Sequence, residues 1–169
     1  MNLNLGGGYT RIKGFKNVDF RKETKPDYLI NLEKKNCLKP IKSNTVDEIY
    51  AGHTFEHIRF LSELMEEIYR VCKNGAKVTI RVPYWSHQSA VEDPTHIRYF
   101  TEKSMMYYSK DTIGSDGQKI SIPYDFVLKS VALWPTPEYV GVPVPKLKEL
   151  AKKYLNVISQ VEFTLIVKK

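Results

Sequence analysis

Residues suited to binding a nucleoside follow three successive apolar stretches near the start of the chain. Glycines occupy positions 6–8, and backbone without side chains can approach a ligand and donate its N–H groups. Asp19 ends the next stretch, where a carboxylate can accept hydrogen bonds from both hydroxyls of a ribose. Asn31 and Leu32 end the third and could offer an amide and an apolar contact to a flat base. Their order along the chain predicts a nucleoside site.

A second set of residues could accept a proton or orient a substrate. His53 follows the fourth apolar stretch, with Glu56 and His57 just beyond it. Asp93 and His96 lie in an irregular segment rich in aromatic residues. An imidazole titrates near neutrality, and a carboxylate can also accept a proton. We therefore predict catalytic roles for His53, Asp93 and His96. The alternative is that Asp93 and His96 only brace their loop through hydrogen bonds.

The same histidines raise the question of a metal. Imidazole and carboxylate are among the ligands that bind zinc in proteins. Glu56 and His57, however, are neighbours on one predicted helix and would point apart. The sequence therefore predicts no metal site.

Alternating strands and helices must position these residues. The apolar patterns predict strands at 3–5, 16–20, 28–32, 46–51, 77–82, 126–133 and 157–167. Three- and four-residue spacing predicts a helix over 55–72, with Thr54 as its N-cap, and a lysine-bearing helix over 146–155. Alternation in the first half favours a parallel α/β sheet, whose ligands bind beyond the carboxyl ends of the strands. The final pair of strands breaks this rhythm and could include an antiparallel member.

Two nucleoside cofactors fit such strand ends. A dinucleotide would want a third glycine where Arg11 stands and a helix N-terminus for its pyrophosphate. Only eight residues, 9–16, separate the glycines from the second strand, which is too short for an ordinary crossover helix. S-adenosylmethionine carries no phosphates and needs no such helix.

Five segments carry a resemblance to a known family. They are LNLGGG, GFKNVDF, DYLINLE, TVDEIYAGHTFEHI and LMEEIYRVCKNGAKVTIRVP. In this order, over residues 3–83, they resemble the motifs of class I S-adenosylmethionine-dependent methyltransferases. The likeness is greatest to the compact branch with a shortened first crossover, in which a segment like DPTHIRYFT (93–101) is also common.

The resemblance implies a three-layer Rossmann-like α/β fold with a mostly parallel seven-stranded sheet and one antiparallel strand. It implies S-adenosylmethionine as cofactor, with the glycines against its methionine part and Asp19 on its ribose. Asn31 and Leu32 would contact adenine, and His53 would lie beside the methyl-bearing end. The predicted cofactor-binding residues are Leu5, Gly6, Gly7, Gly8, Asp19, Phe20, Asn31, Leu32 and His53.

Composition bounds the class of protein. The 169 residues, 42% of them hydrophobic, are predicted to form a single methyltransferase domain over 1–169. No apolar run is long enough to span a membrane, and no secretory signal is evident, so we expect a cytoplasmic protein. The two cysteines, Cys37 and Cys72, are expected to be free thiols.

The sequence defines the acceptor of the methyl group less closely than it defines the cofactor. AGHTF stands where amino methyltransferases of nucleic-acid bases carry an Asp/Asn-Pro-Pro-aromatic motif, which favours a small molecule or a glycan-type hydroxyl. The net charge of +7 keeps an RNA or DNA methyltransferase open, although the lysines of 146–155 are also typical of a solvated helix face. A third alternative is a cofactor-binding subunit without catalysis. The short segment before the first strand suggests that a partner subunit or a homodimer closes the pocket.

Overall fold

The computed structural model describes residues 1–169 and contains one seven-stranded sheet. Its strands are β1 (Asn2–Leu5), β2 (Phe15–Asp19), β3 (Tyr28–Leu29), β4 (Val46–Gly52), β5 (Cys72–Pro83), β6 (Phe126–Pro135) and β7 (Ile158–Val167). The spatial order is β3-β2-β1-β4-β5-β7-β6. Pairing is parallel from β3 to β5, whereas β7 runs antiparallel to both β5 and β6. This confirms the predicted seven-stranded sheet with one antiparallel strand.

Strand register brings the candidate site residues to one edge. Leu5 at the end of β1 is level with Val18 on β2 and Ala51 on β4. The residues that follow these three, Gly6, Asp19 and Gly52, therefore lie side by side at the carboxyl ends of the strands. β1 is buried from its second residue to its last, as expected of a strand covered on both faces.

Helices are fewer than the alternating pattern suggests. The two α-helices are α1 (Leu61–Val71) and α2 (Val144–Ala151), and the remaining helical segments are 3-10 turns of three to five residues. α1 turns Leu64, Met65 and Ile68 towards the core. The connection between β1 and β2 contains no helix, as its length predicted. No helix is long and apolar enough to cross a membrane.

The predicted helix over 55–72 was wrong in its first third. Phe55–His57 is a 3-10 turn, Ile58 is extended, and α1 begins only at Leu61. Backbone N–H groups of Ile97 and Arg98 donate to the Glu56 carbonyl at 2.9 and 3.2 Å. These contacts draw the segment out of helical geometry, because the carbonyl that helix propagation would use is taken by a distant loop.

Thr54 likewise does not cap a helix. Its hydroxyl donates instead to the Leu5 carbonyl at 3.1 Å, which ties the end of β4 to the end of β1. The predicted third strand is also shorter than expected: β3 ends at Leu29, so Asn31 and Leu32 lie in the loop beyond it.

Both cysteines lie in the core as free thiols. Burial raises the pKa of Cys37 to about 11 and that of Cys72 to about 12. Because the thiolate is the reactive form, we expect neither thiol to react with a disulfide reagent at pH 8 until the protein is unfolded in urea, when both react. A fast-reacting thiol in the native protein would contradict this burial, and a Cys37→Ser variant would show which cysteine it is.

Candidate functional site

A cavity of about 490 Å³ opens beyond the carboxyl ends of β1, β2 and β4. This volume lies within the range of small-molecule and cofactor sites. Six of the predicted cofactor-binding residues line it: Gly6, Asp19, Phe20, Asn31, Leu32 and His53. The lining residues that sequence reasoning did not assign to the cofactor are Arg21, Ile30, Glu33, Thr54, His57, Ile58 and Thr95.

Gly6 forms the part of the wall contributed by β1. Its φ of +62° is left-handed, and its N–H donates to the Val18 carbonyl at 2.8 Å. A Cβ at this position would lie 2.3 Å from the Thr54 hydroxyl oxygen. Glycine is therefore required here both by the backbone conformation and by the close approach of the Thr54 side chain, just beyond β4.

Gly7 faces away from the cavity, towards a buried pair of asparagines. Asn4 donates to the Asn17 side-chain oxygen at 2.8 Å, and the Asn17 amide donates to the Gly8 carbonyl at 3.0 Å. A Cβ at Gly7 would lie 1.8 Å from that Asn17 oxygen. The asparagine pair thus fixes the glycine turn from behind. Leu5 is fully buried in the sheet, and direct cofactor contacts of Leu5, Gly7 and Gly8 stay predictions.

Asp19 is buried at the end of β2, with four donors around its carboxylate. The Gly8 N–H donates to Oδ2 at 2.8 Å, and the Arg21 N–H donates to Oδ1 at 2.8 Å. The Arg21 guanidinium supplies the other two, from Nε at 3.2 Å and Nη2 at 3.4 Å. Burial raises the pKa of Asp19, but these hydrogen bonds from Arg21 and Gly8 outweigh it and lower that pKa overall. The carboxylate is held ionised beside the glycine turn.

Apolar side chains flank the opposite part of the cavity. Ile30, Leu32 and Ile58 are buried, Phe20 is exposed, and all four line the cavity. The Asn31 side-chain oxygen accepts from the Glu33 N–H at 2.9 Å, which forms a turn that holds the loop after β3. A flat, uncharged ring would fit between such surfaces.

His53 reaches the cavity in a strained conformation. Its φ is +51°, which is uncommon outside glycine, and its N–H donates to the Arg81 carbonyl at 2.8 Å. The half-exposed imidazole lines the cavity, with Nδ1 3.3 Å from Glu56 Oε1. Strain of this kind is characteristic of residues at functional sites.

Asp93 and His96 lie behind the cavity wall rather than in it. Asp93 Oδ1 accepts from the Thr95 N–H at 2.8 Å and from the Thr95 hydroxyl at 2.6 Å, and these hydrogen bonds lower the Asp93 pKa. His96 Nδ1 is 3.3 Å from the Ala90 carbonyl. The segment reaches the cavity through Thr95, so a catalytic role for Asp93 or His96 stays a prediction.

Glu56 and His57 do not point apart, contrary to the reason given for predicting no metal site. They lie in a 3-10 turn, and the ligand atoms of Glu56, His57 and His96 are all within 4.8 Å of one another. Local spacing could not reveal this cluster, because His96 comes from a loop 39 positions beyond His57.

Comparisons with known proteins bear on this geometry. A family model described as a methyltransferase domain matches residues 14–80, which include β2 to β4, α1 and most of β5. A solved S-adenosylmethionine-dependent methyltransferase from Archaeoglobus fulgidus superposes with a TM-score of 0.68 at 14% identity, covering 98% of this chain and 85% of its own. The resemblance to class I S-adenosylmethionine-dependent methyltransferases is confirmed.

Two further solved structures extend the comparison. One is from the complex between the Trm112 methyltransferase activator of Haloferax volcanii and a methyltransferase (TM-score 0.63, 11% identity, covering 99% of this chain and 82% of that chain). The other is phosphoethanolamine N-methyltransferase 2 of Haemonchus contortus in complex with phosphomonomethylethanolamine and S-adenosylhomocysteine (TM-score 0.58, 15% identity, 99% of this chain, 48% of that chain). A search among curated proteins found no match.

The methyltransferase-domain match over residues 14–80 and the cavity at the strand ends support methyl transfer by this chain, with S-adenosylmethionine as its cofactor. Two of the lining residues that were not assigned to the cofactor could have been found from the sequence of this chain. Arg21 follows Asp19 by two positions, within reach of its carboxylate, and Thr54 follows His53 directly. Thr95 carried no such signal, because only the folded chain brings its loop to the cavity.

Proposed function

We propose that this chain transfers the methyl group of S-adenosylmethionine to a hydroxyl of a small molecule or a glycan-type acceptor. The observation that carries the proposal is the buried, ionised Asp19 facing the Gly6–Gly8 turn across one edge of a cofactor-sized cavity. In this proposal the region 1–169 acts as a single domain. Its free buried thiols accord with a cytoplasmic location.

Each part of the cofactor has a matching surface. The ribose hydroxyls would bond to Asp19, and the adenine would lie between Ile58 and the loop that carries Asn31 and Leu32. The methionine part would lie along the glycine turn. His53 would then stand at the methyl-bearing end, on the side from which an acceptor enters.

A sulfonium methyl is already electrophilic, so the main demand on the protein is to align a nucleophile with the S–CH₃ bond. Proximity and orientation can supply on the order of 7–11 kcal/mol in favourable cases. A hydroxyl must also lose its proton, and a base near it adds about 10²–10⁴-fold. His53 and His57 both line the cavity, and His53, which would stand at the methyl-bearing end, is our candidate for this base.

A nucleic-acid acceptor is the less favoured alternative. Lys146 and Lys153 on and beside α2 both pair with Glu149, at 3.0 and 3.4 Å, as in a solvated helix face. A salt-sensitive gel shift with RNA or DNA would support a nucleic-acid substrate, and no binding at low salt would remove it.

A partner that completes the pocket is part of the proposal. The Haloferax volcanii relative forms a complex with an activator. In this chain Phe20 and Tyr99 expose more than half of their side-chain surface. Such a partner, or a second copy of this chain, would exclude water from the sulfonium.

Calorimetry tests the proposal. We expect S-adenosylmethionine and S-adenosylhomocysteine to bind at one per chain, and NAD not to bind, because no helix N-terminus receives a pyrophosphate beside the glycine turn. Binding of NAD alone, or of none of the three, would overturn the proposal. An assay for S-adenosylhomocysteine release over a hydroxyl-acceptor panel then separates an enzyme from a cofactor-binding subunit, for which binding without turnover is the expected result.

A further inference from the structure

Glu56 is a buried carboxylate that the protein leaves without a hydrogen bond. Its side chain is 1% exposed, and neither Oε1 nor Oε2 has a hydrogen-bond partner. Burying an ionised carboxylate costs several kcal/mol unless it is paired, hydrogen-bonded or bound to a metal. Its backbone carbonyl accepts from the N–H groups of Ile97 and Arg98, so the residue is held beside the loop that carries His96.

Three imidazoles surround this carboxylate: His53 Nδ1 lies 3.3 Å from Oε1 on the cavity side, and two further rings complete the cluster. His57 and His96 lie edge to face with ring centroids 4.7 Å apart. His96 Nε2 is 4.0 Å from Glu56 Oε1, and the ligand atoms of all three residues lie within 4.8 Å of one another. Ligands of a tetrahedral ion at bond lengths of about 2.0–2.2 Å are about 3.4 Å apart, so small side-chain rotations would close the set around an ion.

Hydrogen bonds on the far side of each ring define the tautomers. The Thr95 hydroxyl donates to Asp93 Oδ1 at 2.6 Å, so it accepts from His57 Nδ1–H at 2.9 Å. His96 Nδ1 lies 3.3 Å from the Ala90 carbonyl, which can only accept. Both imidazoles are thereby left with an Nε2 lone pair. Histidines that bind metals are held in this way by a hydrogen bond on the other ring nitrogen.

We propose that Glu56, His57 and His96 bind one divalent cation of the zinc class. Two neutral imidazoles and one carboxylate form a ligand set typical of zinc sites that keep an open position for water or substrate. The site adjoins the cavity, because His57 itself lines it and His53, which also lines it, has Nδ1 3.3 Å from Glu56 Oε1. Ion binding is independent of the proposed methyl transfer; only a role for the ion towards the acceptor rests on it.

Metal titration tests the proposal without an activity assay. The chain is freed of metal with a chelator and titrated with Zn²⁺ by calorimetry and with Co²⁺ by visible absorption. We expect one ion per chain, and a higher melting temperature of the wild type with Zn²⁺, because the ion binds the folded state. His96→Ala and Glu56→Gln should lose stoichiometric binding. Thr95→Val, which removes the hydrogen bond to His57, should weaken binding by about 10–100-fold.

The matched control is His87→Ala, because the His87 ring pairs with Ser89 outside the cluster. It should bind Zn²⁺ as the wild type does. His57→Asn, at a partly exposed position, serves if Glu56→Gln fails to fold, as judged by far-UV circular dichroism. No stoichiometric binding by the wild type, or unchanged binding by His57→Asn and His96→Ala, would overturn the proposal. S-adenosylhomocysteine binding by the metal-free chain would in that case leave the proposed function standing.

Discussion

Replacing Gly6 by alanine is expected to lower the free energy of unfolding by about 2–5 kcal/mol and to weaken S-adenosylhomocysteine binding. A left-handed alanine costs about 1–2 kcal/mol, and forcing a methyl group into a packed site typically costs about 1–3 kcal/mol. Both apply, because φ is +62° and the new Cβ would lie 2.3 Å from the Thr54 hydroxyl oxygen. Urea unfolding and calorimetry measure the two effects.

Gly14→Ala is the matched control. Gly14 is also left-handed, with φ +84°, but a Cβ there meets nothing within 4 Å. We expect Gly14→Ala to lower the free energy of unfolding only by the cost of a left-handed alanine, about 1–2 kcal/mol, and to leave the affinity for the cofactor unchanged. A Gly6→Ala/Thr54→Ala double variant should recover part of the stability. Equal destabilisation by the two single variants would show that Thr54 does not crowd Gly6.

Asp19→Ala is expected to weaken S-adenosylhomocysteine binding by about 1–3 kcal/mol, or about 5- to 150-fold in Kd, the scale of lost hydrogen bonds to a charged group. The carboxylate is kept ionised by Gly8 and Arg21 and is therefore ready to accept from the ribose hydroxyls. Calorimetry gives the Kd, and circular dichroism confirms that the variant is folded.

Arg21→Ala provides the contrast. The guanidinium Nε and Nη2 occupy two of the four donor positions around the carboxylate, while the backbone N–H groups of Gly8 and Arg21 hold the other two. In the complex, the two ribose hydroxyls would replace the guanidinium Nε and Nη2 as donors to the carboxylate. Removing the guanidinium should therefore not weaken S-adenosylhomocysteine binding. Wild-type affinity in Asp19→Ala would mean that the ribose lies elsewhere. A loss in Arg21→Ala as large as in Asp19→Ala would make the guanidinium the cofactor contact.

The residues at the strand ends could be predicted because they depend on sequence patterns only a few residues long. Apolar stretches before Gly6 and Asp19 fix where β1 and β2 end, and parallel pairing then brings those ends together. The short 9–16 connection excluded a crossover helix, and the structure has none there. Six predicted cofactor residues accordingly line one cavity.

The helix prediction from periodicity was wrong where a distant loop forms hydrogen bonds with the backbone carbonyls. Phe55 and Ile58 are buried at helical spacing, yet Ile97 and Arg98 take the Glu56 carbonyl, and Arg98 Nε donates to the Ile58 carbonyl at 2.6 Å. A pattern of side chains cannot report such long-range hydrogen bonds. The same docking turned Glu56 towards His96 and created the cluster that the helix prediction had argued against.

The sequence by itself determined the sheet, the glycine turn and the acidic residue beside it, because each follows from residue type and spacing within a few positions. Only the tertiary structure decided that His96 joins Glu56 and His57, since His96 comes from a segment about 40 residues away. It also decided that Thr95 reaches the cavity. Contacts of this kind arise from packing of whole elements, which the order of residues along one strand or helix does not encode.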